Sequence, residues 1–94
     1  MTKLTAEEVE RIIKDENLTA TANWFGPTGR PQSSAWIDRI GDEWVVWETD
    51  ERAGRYLPES RFRSESEALD LFLRMARRHK ASDSQAVRRS GDSA

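Results

Sequence analysis

The run Glu43-Trp44-Val45-Val46-Trp47-Glu48-Thr49 constrains this chain more than any other stretch. It is too short for a stable helix and rich in β-branched and aromatic residues, which predicts a strand. An antiparallel sheet with one wet face alternates apolar and polar residues. Here four bulky apolar residues are consecutive, so both faces of the strand are apolar. Gly41-Asp42, just before it, is a tight-turn signal, and Ser34 to Ile40 reads as the partner strand. A two-residue hairpin opposes Ile40 to Glu43, Ile37 to Val46 and Trp36 to Trp47. Opposed residues share a face. One face then carries Ile37, Arg39, Trp44, Val46 and Glu48. The other carries Trp36, Asp38, Ile40, Val45, Trp47 and Thr49.

The flanks supply helices. Thr5 and Glu8 form a capping box, and Ala6, Val9, Ile12 and Ile13 make an apolar stripe that ends at Asp15-Glu16-Asn17. Ser64 and Glu67 form a second box. It opens a helix to about Lys80 with the stripe Leu69, Phe72, Leu73 and Ala76, and with cations crowding its C-terminal end. Leu18 to Phe25 reads as a strand and Gly26 to Pro31 as a loop. Arg55 to Phe62 is a fourth strand, demoted to an edge by Pro58. The expected fold is α+β: an N-terminal helix, an antiparallel meander of three or four strands, and a C-terminal helix packed on one sheet face. Residues 1–81 form the domain, and 82–94, small and polar, form a disordered tail.

Composition narrows the function. The 94 residues make one small domain with no cysteine. That removes thiolate chemistry and disulfides, and fits a cytoplasmic protein. No apolar run approaches the roughly 20 residues of a membrane span. His79 is the single histidine and sits among helix-end cations, which leaves no triad and no histidine metal pair. Carboxylates abound, but a sheet this small gives little shelter for shifting a pKa. An enzyme is not expected, and neither is a cofactor or a metal. Arg74, Arg77, Arg78, Lys80, Arg88 and Arg89 offer a nucleic-acid reading as the alternative, opposed by Glu65, Glu67 and Asp70 on the same helix. A homodimer that hides the apolar face is a third reading.

Two helices cover only one face of such a sheet. The expected partner-binding surface is the other face. Trp36 and Trp47 form a cross-strand pair there, with Asp38, Glu48, Asp50 and Glu51 as an acidic rim and Arg52 at the edge. Between Asp38 and Glu51 there are six carboxylates against one arginine. Aromatic anchors supply affinity, and an acidic rim steers a basic protein partner. The competing reading has loop 25–34 or the tail folded over this face.

Three segments carry a family resemblance. Gly41-Asp42-Glu43-Trp44-Val45-Val46, then Glu51-Arg52-Ala53-Gly54, then Phe62-Arg63-Ser64-Glu65-Ser66-Glu67-Ala68 with its helix, resemble small bacterial immunity proteins. The likeness spans about residues 41–77, and Ala53 departs from it by separating Arg52 from Gly54. It implies a cytoplasmic protein that neutralises one cognate secreted toxin by occluding its active site. It also implies that Trp44 and Val46 face the core.

Overall fold

The structure, a computed structural model, describes residues 4–56 and 58–92. Helix α1 spans Ala6–Asp15 and a single 3₁₀ turn spans Thr19–Thr21. Strands β1 Ala22–Trp24, β2 Ala35–Ile40, β3 Glu43–Glu48 and β4 Ser60–Phe62 follow, and helix α2 spans Glu65–Asp92. The fold is α+β, with a four-stranded sheet in the order β1-β2-β3-β4.

Both helix starts fall where the sequence puts them. The Thr5 hydroxyl accepts from the Glu8 amide at 3.3 Å, and Ser64 Oγ accepts from the Glu67 amide at 3.4 Å. At the end of α1, Asn17 turns left-handed with φ 56°. Its amide bonds the Lys14 carbonyl at 3.2 Å, and that of Leu18 bonds the Ile13 carbonyl at 2.8 Å. This double closure satisfies carbonyls the helix leaves open and turns Leu18 into the core.

The hairpin has the expected register: Ile40 opposes Glu43, Ile37 opposes Val46 and Trp36 opposes Trp47. β4 runs antiparallel to β3. β1 runs parallel to β2, with Ala22 beside Ala35 and Trp24 beside Ile37. The sheet is therefore mixed, which corrects the antiparallel meander. The reason lies in segment 25–34, which carries the chain back past the start of β1. The Arg30 amide bonds the Ala20 carbonyl at 2.9 Å. Gly29 packs so closely that a Cβ would stand 2.5 Å from the Thr19 carbonyl oxygen. β2 thus begins beside the beginning of β1 and runs in the same direction.

Other boundaries also move. The strand expected over 18–25 shrinks to β1, because the 3₁₀ turn Thr19–Thr21 occupies its first half. The fourth strand keeps only Ser60–Phe62, and Leu57 within its expected span lies outside the described residues. Helix α2 runs past Lys80 to Asp92. Positions 93–94 of the expected tail lie outside the described residues.

The core lies between the helices and one sheet face. Val9 and Leu18, Ala22, Ala35, Ile37 and Val46 from the sheet, and Ala68, Leu69, Phe72, Leu73 and Ala76 from α2 are all buried. Trp24 and Trp44 pack against this cluster from its margin. The C-terminal end of α1 is clasped to the middle of α2. Arg77 donates to both carboxylate oxygens of Glu16, at 2.8 and 2.6 Å, and Lys80 donates to the Glu16 carbonyl. The guanidinium bond holds the Glu16 carboxyl below its ordinary range and raises Arg77.

Candidate functional site: the sheet face away from the helices

Alternation along the strands assigns the second face. β2 contributes Trp36, Asp38 and Ile40. β3 contributes Glu43, Val45 and Trp47, continued by Thr49, and β4 contributes Arg61 opposite Val45. Thr49 bridges to Arg55 beyond the turn, which brings Arg55 to the same face.

Trp36 and Trp47 stack across the strands, with ring centroids 5.8 Å apart and planes 10° from parallel. Both are half-buried. Two rings this close admit nothing between them. The Arg55 guanidinium, 4.1 Å from the Trp47 ring centre, therefore covers that indole's far side. The Trp36 indole N–H donates to Thr49 Oγ1 at 3.3 Å. Pro31, Ala53 and Arg55 complete the wall of an open groove of about 280 Å³ beside the pair. Ile40 is 55 % exposed at the hairpin end of this face.

Loop 25–34 covers the other end. Asn23, Ser34 and Thr49 also belong to this face by alternation, yet they are buried. Asn23 Nδ2 donates to the Arg30 carbonyl at 2.9 Å and to Ser34 Oγ at 3.0 Å, while its Oδ1 accepts from the Gly29 amide at 2.9 Å. The Thr49 hydroxyl donates to the Pro31 carbonyl at 2.8 Å. Each of these polar side chains is satisfied, so the loop is fastened rather than draped. Its cover reaches the tryptophan pair and leaves Asp38 and Ile40 exposed. The loop thus covers one end of this face and leaves the hairpin end open.

The expected rim is redistributed. Trp36, Trp47 and Asp38 share the face as expected. Glu48 does not: its Oε2 accepts from Arg78 at 2.7 Å and lies 2.9 Å from His79 Nε2, both on α2. Strand alternation sends it to the helix side, so it is corrected out of the rim. Asp50 turns inward on its own loop, where Oδ1 accepts from the Arg52 amide at 2.9 Å and the Gly54 amide at 2.8 Å. Glu51 and Arg52 are exposed on that turn, and with Asp50 they line a separate polar depression shared with His79 and Tyr56. Asp38 Oδ1 caps the Arg39 amide at 2.8 Å. The acidic rim thus does not assemble, and a cation, Arg55, lies on the aromatic pair instead. The sequence held a signal for Arg55: closing the Asp50–Gly54 turn as a hairpin places it opposite Thr49.

Arg74, Arg77, Arg78 and Lys80 of α2 are engaged, and the side chains of Arg88 and Arg89 lie outside the described residues. Arg74 meets Asp70 at 2.8 Å, Arg77 and Lys80 meet Glu16, and Arg78 meets Glu48. That is a poor start for phosphate contacts, which need free cations. Among the described residues, no three histidine, cysteine or carboxylate groups converge as metal ligands, and no helix is long and apolar enough to cross a membrane. No family model matches this chain, and no curated protein or solved structure matches it.

Proposed function

We propose that this chain is a protein-binding module that works by docking rather than catalysis, and that its docking surface is the open part of the sheet face around Trp36 and Trp47. One observation carries the reading. A stacked, half-buried tryptophan pair stands on a face that neither helix covers and that loop 25–34 covers at one end only. Tryptophan is enriched among the anchor residues of protein interfaces, because it buries a large area and carries a polar N–H handle. The resemblance to small bacterial immunity proteins supplies the specific form: a cytoplasmic antidote that blocks the active site of one secreted toxin. Engagement of Arg74, Arg77 and Arg78 by Asp70, Glu16 and Glu48 weighs against the nucleic-acid alternative.

The test is binding to the product of the gene adjoining this one, by titration calorimetry with purified proteins. The expected result is a one-to-one complex that Trp47→Ala weakens by about 2–4 kcal/mol, roughly 30- to 1,000-fold. Full affinity in both Trp36→Ala and Trp47→Ala would remove this face from the interface.

A further inference from the structure

Ion pairs on the two sides of the sheet differ in length. On the helix side, Arg77–Glu16 closes to 2.6 Å and Arg78–Glu48 to 2.7 Å, within the range of charge-assisted bonds. Around the open face, Arg55–Glu59 is 3.5 Å, Arg61–Glu59 is 3.3 Å and Arg61–Glu43 is 3.7 Å. Glu59 is shared between two arginines and grips neither at full strength. Arg55 is also the one charged side chain lining the groove, whose other walls are Pro31, Trp36, Trp47, Thr49 and Ala53. A guanidinium resting on an indole is held in place by the ring, while its N–H donors remain at its rim. The groove therefore combines an apolar wall with a positioned cation whose one ion pair among the described residues is long.

From this we infer that the groove beside Trp47 takes a carboxylate of the protein partner, gripped by Arg55, with an adjoining apolar group laid against the indoles. The inference rests on the docking role proposed above and assigns the partner's chemistry at its centre: an acidic side chain beside a hydrophobic one. A single guanidinium, with no second cation in the groove wall, suits a singly charged carboxylate better than a phosphate dianion. Glu59 occupies Arg55 loosely in the free protein. When the partner's carboxylate arrives, Glu59 keeps Arg61.

The probe is phenylacetate, with its neutral isostere phenylacetamide and with phenyl phosphate as comparators. Each is titrated into the whole chain and followed by NMR at the indole N–H groups of Trp36 and Trp47 and at Arg55 Nε–H. Phenylacetate is expected to shift all three and to bind on the order of tenfold more tightly than the amide, the margin of one charge-assisted contact. Arg55→Gln should erase that margin, and Glu59→Gln should increase affinity for the acid. Should Arg55→Gln fail to fold, the comparison of acid with amide on the unaltered chain still decides. Equal binding of acid and amide, tighter binding of phenyl phosphate, or no shift at the indoles would each overturn the assignment. Those outcomes leave the docking role standing if Trp47→Ala still weakens the partner complex. If neither Trp36→Ala nor Trp47→Ala weakens it, the docking role fails as well.

Discussion

The two faces of this sheet carry the same number of tryptophans and use them differently. Trp24 and Trp44 lie on the helix side at the margin of the core, where Trp24 also meets Phe72 at 5.7 Å between ring centres. Trp36 and Trp47 lie on the other side and meet chiefly each other and Arg55. One pair finishes a core that α2 has already filled. The other makes a small aromatic surface of its own beyond that core. The difference shows that apolar content alone does not say which face of a strand is interior. What decides is which face receives the amphipathic helices.

The largest effect should come from removing the centre of the covered side. Phe72 is fully buried, and Phe72→Ala should cost about 3–5 kcal/mol in urea unfolding. A loss below about 1 kcal/mol would mean that α2 does not anchor the core.

The direct contrast between faces comes next. Trp44→Ala should cost about 2–4 kcal/mol, somewhat under the figure for a fully buried aromatic because the ring sits at the core margin. Trp47→Ala forfeits an aromatic stack and a cation–π contact, about 1–2 kcal/mol beyond the area its half-buried ring covers, but opens no void against the core cluster. The order should be Trp44→Ala below Trp47→Ala in melting temperature. The reverse order would invert the two faces.

A third variant tests the cover on the open side. Gly29→Ala forces a methyl group against backbone oxygens that cannot move aside cheaply, and should cost about 1–3 kcal/mol. It should also raise amide exchange at Ser34 and Thr49. An unchanged exchange pattern would show that the loop is held without Gly29.

The smallest effect belongs to the helix clasp. The Glu16 carboxyl lies below its ordinary range, mainly through its bond to Arg77. A carboxyl depressed by folding stabilises the fold above its unfolded value and loses that contribution as pH falls through the folded one. Stability should therefore dip on acidification past the ordinary carboxylate range, by less in Glu16→Gln and by less in high salt. The pair is more than a third exposed, so solvent screening keeps the dip small.

Much of this is legible in the sequence. Capping boxes fixed both helix starts, and Gly41-Asp42 fixed the hairpin register, because both signals are local. The parallel pairing of β1 was not legible. It depends on Gly29 packing against Thr19 and on the Asn23 side chain gripping loop 25–34, contacts between residues that no periodicity links. The rim failed for a related reason. Counting carboxylates from Asp38 to Glu51 ignores alternation, which sends Glu48 to the helices, and turn chemistry, which turns Asp50 on its own loop. Helix α2 also outruns Lys80, through a stretch whose small polar residues read as a stop.

The near-parallel stacking of Trp36 on Trp47 has an optical consequence. Two indoles this close couple their electronic transitions, so the pair should contribute a split band of opposite signs to the far-ultraviolet circular dichroism. Only these two rings are stacked in this way among the aromatic contacts described. That band would belong to one spot on the molecule. It would vanish when either ring is replaced and change sign or size when their mutual angle changes. The chain thus carries its own unlabelled reporter at the centre of the face where docking is proposed, readable in a cuvette as a partner is added.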